Sequence, residues 1–142
     1  MTLLALFKSL FAGKNIPAAN KTFPNIIVAR VNKVEKHPNA DRLRLVELTD
    51  GTIVITPVVC GAWNFEAGAI VPLALPGAVI PHNNHDSEGR PFTLGKAKIR
   101  GIESQGMICS GKELGLATET DGILILKDSA PLGSEFNSDF VK

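Results

Sequence analysis

A strong excess of either charge is missing from this sequence. Its 142 residues carry 15 lysines and arginines against 14 aspartates and glutamates, a net charge of +1. A chain that holds a polyanion by bulk attraction shows a strongly basic balance, so any such contact here must come from a local patch. Cysteine is also scarce. Cys60 and Cys109 stand far apart, fit neither a CxxC nor a zinc-ribbon spacing, and lie in the apolar runs VVCG and MICS. They read as buried free thiols in a reducing cytoplasm, because a disulfide needs an oxidising compartment that nothing else suggests. Long hydrophobic runs are absent too. In the opening MTLLALFKSLFAGKN, apolar residues recur at helical spacing from Leu3 to Phe11, but Lys8 interrupts them. The run falls short of the roughly 20 residues a membrane span requires, and it lacks the charged start and cleavage site of a signal peptide. It predicts a short amphipathic helix packed on the domain or on a partner subunit, with a weak membrane-surface anchor as the alternative.

The chemistry-bearing motifs are missing as well. There is no GxGxxG, no GxxxxGK[ST] and no HExxH. The three histidines, His37, His82 and His85, form no recognisable triad with a nucleophile. His82, His85 and Asp86 sketch a metal site without a fourth ligand, and a solvated loop is the preferred reading. With carboxylates scattered, the sequence predicts a non-catalytic binder with no cofactor and no metal.

What the sequence does contain is short strands. IIVARVNKVEKHP (26–38) alternates, but Val31 and Val34 break a strict period of two, which predicts a long strand that curves or bulges before Pro38. Strands are expected over 42–48 and 52–60, separated by the turn signal Asp50-Gly51. Two short extended pieces follow in AIVPLALPGAVIP, then a polar loop over 82–91. A strand over about 94–100, a turn region from Gly101 to Gly106, a strand over 106–109, a helical turn around Lys112–Leu114 and a last strand over 122–126 complete the pattern. The predicted fold is all-β: a Greek-key OB-fold barrel with a short N-terminal amphipathic helix and peripheral β extensions. The expected division is helix and linker over 1–25, barrel over 26–136 and an ordinary tail over 137–142.

Four blocks in order, VEKHPNADRLRLVELTDG, VVCGAWNFEAGAIVPLALPGAVIP, KAKIRGIESQGMICSGKELGL and DGILILKDSAPLGSEF, resemble one known module. It is the tRNA-binding OB-fold domain near the N-terminus of the bacterial phenylalanyl-tRNA synthetase β subunit. Related versions occur at the C-terminus of methionyl-tRNA synthetase, in the endothelial-monocyte-activating cytokine precursor and as free-standing tRNA-binding proteins. The resemblance spans about residues 26–136. The ending from Cys109 to Leu116 is nearest the phenylalanyl version. Residues 1–25 depart from that subunit's usual opening, and the expectation is a free-standing protein, with an excised piece as the alternative. The resemblance implies structure-specific tRNA binding, assisting tRNA capture or aminoacylation, with tRNA, a synthetase and a second copy of the chain as candidate partners and no membrane. A dimerisation module or a chaperone-like role on the same fold are the alternatives.

By resemblance, the tRNA-contact motif falls on Arg100, Ser104 and Met107, with Lys98 beside them. Strand alternation would put Lys98 and Arg100 on one face. Gly101 and Gly106 would let backbone approach a bulky partner and adopt positive φ. Ser104 offers a small donor to phosphate or to the ribose 2′-OH, the group that distinguishes RNA from DNA. Met107 offers a flexible apolar contact. In the competing structural reading, Ser104 and the glycines only turn the chain and Met107 is core. Lys36, Arg42 and Arg44, with Arg30 and Lys33, extend the patch or form a solvated β face. In the HPNADRL block, Asn39 and Asp41 are expected to make side-chain turns between strands. Trp63, where the family commonly has a smaller residue, is either a stacking surface or, preferably, a buried wall of the barrel.

Overall fold

The computed structural model describes residues 21–117 and 121–142. The amphipathic helix expected at the N-terminus lies outside the described residues. Strand β1 (Ile26–Lys36) is the organising element, because its two halves pair with different partners. Residues 26–30 pair antiparallel with β4 (Ile70–Ala74), and residues 30–36 pair with β2 (Arg44–Thr49). The register shifts between Val31 and Lys33. An extra residue bends the strand and increases its twist, which is how one strand serves both halves of a curled sheet. The predicted bulge is therefore present.

The sheet runs β3-β2-β1-β4-β9, with β3 spanning Val54–Cys60 and β9 spanning Met107–Ile108. Its end strands β3 and β9 come into contact, so the sheet curls round into an OB-like barrel. Between β4 and β9 lie two small ribbons. One pairs β5 (Val79–Ile80) with β6 (Phe92–Thr93); the other pairs β7 (Ala97–Ile99) with β8 (Ile102–Ser104). The link from β2 to β3 is a four-residue loop, in which the Asp50 carboxylate accepts from the Thr52 and Ile53 amides, each at 2.8 Å. Those two donors hold the Asp50 carboxyl below its usual range.

Two apolar clusters explain the composition of the central strands. Inside the barrel, Val31, Val46, Leu48, Val58, Val71, Leu73 and Ile108 pack together. Outside β1 and β4, a second cluster joins Ile26, Val28, Ile80, Leu114, Leu126 and Phe136. Strand β4 is thus buried on both faces, and its continuous apolar run IVPLA follows from that. Cys60 and Cys109 are free and buried, and desolvation pushes both thiols up from their ordinary range.

The expected strand over 122–126 is a correction. This segment forms only isolated bridges, at Ile123 to Ser110 and Leu126 to Val141. Its backbone is satisfied by four different segments: Ile123 N–H donates to the Asn64 side chain, Leu124 N–H to Cys109 O and Leu126 N–H to Ile70 O, while Ile125 O accepts from Lys142 N–H. A chain tied to four neighbours in five residues builds no ladder. The helical turn after β9 does form, and a capping box closes it: Ser110 N–H donates to Glu113 at 2.8 Å while Glu113 N–H donates to Ser110 Oγ at 3.1 Å.

The flanking segments join the domain. Phe23 is buried, its ring 4.9 Å from that of Phe136 at an interplanar angle of 71°, and its amide donates to Glu135. At the other end a 3-10 turn (Ser138–Phe140) lets Phe140 O accept from Lys127 N–H at 2.7 Å.

Candidate nucleic-acid interface

The hairpin β7–β8 carries the residues that stood out in the sequence. Ile99 faces Ile102 across the ladder, so Arg100 and Gly101 alone make the turn. Both have positive φ, +53° and +91°, as the two-residue turns that match strand twist demand. Arg100 is thus a turn residue. The expected strand to residue 100, which would have aligned it with Lys98, stops at Ile99, and the turn expected over 101–106 is shorter and earlier. An arginine held in the left-handed region costs on the order of 1–3 kcal/mol, a cost that asparagine or glycine would largely avoid.

The neighbouring loop holds this turn. His37 is fully buried. Its Nδ1 accepts from Asn39 N–H at 2.9 Å, so Nε2 carries the proton and donates to Ile99 O at 3.1 Å. The Asn39 side chain donates to Arg100 O at 3.3 Å, and the Arg100 guanidinium donates back to Asn39 O at 3.2 Å. Asn39 therefore reaches across to the hairpin and does not form the local side-chain turn anticipated for it. Arg100 remains exposed and meets a carbonyl oxygen there.

Lys98 and Arg42 are exposed, and among the described residues neither they nor Arg100 enter an ion pair. Glu103 stands opposite Lys98 in the ladder. Lys36 is exposed and pairs with Asp41 at 3.3 Å, an arrangement that counts for little in water. Lys33 pairs with Glu35 at 2.8 Å, and that hydrogen bond raises its pKa.

Two residues of the sequence-derived site are not presented to solvent. Ser104 is buried: its hydroxyl accepts from Val59 N–H at 2.9 Å and donates to Gly106 O at 2.8 Å, pinning β8 to β3. Arg44 is 4% exposed. It donates to Glu66 at 3.0 Å, to Ala62 O at 3.2 Å and to Phe65 O at 2.8 Å, which anchors the loop after β3. Gly106 also has a structural reason. A Cβ there would sit 2.7 Å from Ala74 O, so it permits the close approach of β9 to β4, and positive φ is found only at Gly101 of the two.

Ser104→Ala is expected to lower stability by about 1–3 kcal/mol, because the buried Val59 amide loses its acceptor, with affinity of the folded protein for the tRNA that the resemblance implies changed less than twofold. Urea melts and binding of labelled tRNA test the two parts separately.

Met107 is half-buried and lines a cleft with Trp63, whose indole is 54% exposed. The buried-wall reading of Trp63 is overturned: the barrel interior is filled without it. Beside this cleft, Asp86 gives both carboxylate oxygens to Arg90, at 2.8 and 2.9 Å. These bonds hold its carboxyl at about 2.

Residues 26–135 match the family described as "Putative tRNA binding domain". The chain belongs to that family. The phenylalanine–tRNA ligase β subunit of Bdellovibrio bacteriovorus is 45% identical over 116 residues, which are 82% of this chain and 13% of that protein. The same subunit of Dechloromonas aromatica is 49% identical over 111 residues, 78% of this chain and 13% of that protein. This tRNA-binding domain thus spans only about an eighth of the length of those relatives. A methionyl-tRNA-synthetase-related protein of Pyrococcus horikoshii superposes with a TM-score of 0.54 at 20% identity, covering 89% of this chain and 99% of its own, a likeness of fold. Within the family domain, the loop between β1 and β2 touches the hairpin through His37 and Asn39, and both Arg42 and Arg100 are exposed. Among the described residues, no helix is long and apolar enough to cross a membrane.

Proposed function

We propose that this domain is a non-catalytic module that captures folded tRNA and delivers it to an aminoacyl-tRNA synthetase in the cytoplasm. Lys98, Arg100, Arg42 and Lys36 take phosphate and ribose oxygens, and Met107 adds an apolar contact. Ser104 and Arg44 act beneath the surface, where they hold β8 and the loop after β3. The observation that carries this reading is the Arg100 turn: a cation kept exposed at a backbone angle it dislikes, clasped through carbonyl oxygens and, among the described residues, in no ion pair. Few cations on a rigid support suit recognition by shape, since phosphate contacts position a nucleic acid without reading its sequence.

Labelled tRNA titrated at several salt concentrations tests this. Affinity should fall with a log–log slope of about −0.7 to −0.9 per phosphate contact, giving a total between about −2 and −4 for three or four contacts. A slope near zero, or no binding at low salt, would end the proposal.

A second reading, association between copies, has a specific observation in its favour. Ile53 and Val54 are 58% and 57% exposed where the β2–β3 loop enters the end strand β3. A mass measurement in solution that gives twice 15.1 kDa would support it.

A further inference from the structure

We infer that the cleft beside Trp63 receives one unstacked nucleobase of the bound RNA. The inference rests on the RNA-binding reading above and names what that surface does beyond holding phosphates. The cleft has a volume of about 740 Å³, within the roughly 300–1,000 Å³ range of small-ligand sites. Its lining includes Trp63, Met107, Asn84 and His85 together with two acidic residues, Asp121 and Glu113, the latter with one carboxylate oxygen bonded to Ser110.

The indole is exposed yet held. Its Nε1–H donates to Arg42 O at 3.2 Å, and the Arg44 guanidinium lies 4.7 Å from its ring centroid. Arg44 is itself immobilised by three hydrogen bonds and by the Phe65 ring at 4.8 Å. A large apolar side chain fixed in water has little conformational freedom left to lose when a flat partner stacks on it. Trp63 is thus built as a platform, with a buried cation as its support.

Charge selects which part of a nucleotide enters. Glu113 and Asp121 repel phosphate, so the cleft excludes the backbone and suits a neutral base, whose exocyclic amino groups can donate to a carboxylate. The phosphates stay outside on the cations. Continuity supports the same occupant: the His37–Leu43 loop touches the Arg100 turn through His37 and Asn39, and it touches the indole through Arg42 O. One loop thus ties the Arg100 turn to the Trp63 wall of the cleft, which puts the two within one continuous stretch of the surface. Because every base has a π-face, the site tolerates different sequences.

Trp63 is the sole tryptophan of the chain, so intrinsic emission reports on this position alone. Two probes are used: labelled tRNA, and a blunt-ended RNA duplex with the same number of phosphates. Binding of each is followed by anisotropy, independently of emission. Binding of tRNA should quench the emission by half or more, and binding of the duplex should leave it nearly unchanged. Trp63→Ala should weaken tRNA binding about tenfold, within the range of about 5- to 150-fold that loss of one stacked base produces, with the salt slope unchanged. Trp63→Phe should retain most of the affinity.

The inference is overturned if bound tRNA leaves the emission unmoved, if the duplex quenches equally, or if both variants bind as the parent does. It is also overturned if the emission shifts with protein concentration alone, which would place a second copy on the indole. Wherever the anisotropy still shows RNA bound, the broader reading stands. If anisotropy shows no tRNA binding at all, both readings fail together.

Discussion

Lys98→Ala combined with Arg100→Gly should weaken tRNA binding about a hundredfold at moderate salt. Each cation removed deletes a charge-assisted contact, and for exposed side chains such as these the low end of the range, about 1.5 kcal/mol each, applies. The log–log salt slope should become shallower by about 1.4–1.8, the share of two phosphates. Glycine is the informative replacement at position 100 because the φ of +53° there penalises alanine as it does arginine. Arg100→Gly is expected to leave stability unchanged or to raise it by about 1 kcal/mol, despite loss of the hydrogen bond to Asn39 O at 3.2 Å. A variant more stable in urea and weaker in binding would separate the fold from the function in one molecule. Parent-like affinity of the double variant would remove the hairpin from the interface.

His37→Ala should cost about 2–4 kcal/mol and loosen the same hairpin. The side chain is fully buried, so its removal leaves a cavity. It also orphans two backbone groups, the Asn39 N–H and the Ile99 carbonyl. Because Ile99 precedes the Arg100 turn, the loss should reach the interface: tRNA affinity is expected to fall about five- to tenfold at a temperature where the variant remains folded. Hydrogen exchange should show earlier opening of residues 97–104 than of β1. If exchange in the hairpin is unaltered while the global stability falls, His37 is a core residue and nothing more.

Those two expectations differ in how visible their residues were before the fold was known. The bulge in β1 announced itself through Val31 and Val34, because a broken period of two is a local property of the sequence. The free, buried thiols were legible for the same reason, from their apolar neighbours. The blocks shared with the family carried the fold and its class of ligand. Nothing local marks Arg100 as a turn residue. Glycine follows it, but an arginine in the left-handed region is set by the clasp with Asn39, which lies 61 residues away. Arg44 misled in a similar way. Its charge suggested a surface, whereas its partners arrive from the loop after β3, 18 to 22 residues downstream. Ser104 looked like an exposed hydroxyl between glycines and proved to be the acceptor for a β3 amide. The segment from Gly122 to Leu126 has strand-like composition, but its hydrogen bonds go to four separate segments, one of them through the Asn64 side chain. Contacts made across long sequence separations are what single-sequence patterns do not carry.

The meeting of Phe23 with Phe136 has one more consequence. Phe136 N–H also donates to Ile26 O at 2.7 Å, so the polypeptide enters and leaves the barrel at nearly the same point in space. A unit with adjoining ends can be spliced into a loop of an unrelated host and fold there without prising the host apart. That geometry suits a barrel of this size to a place within a much longer chain.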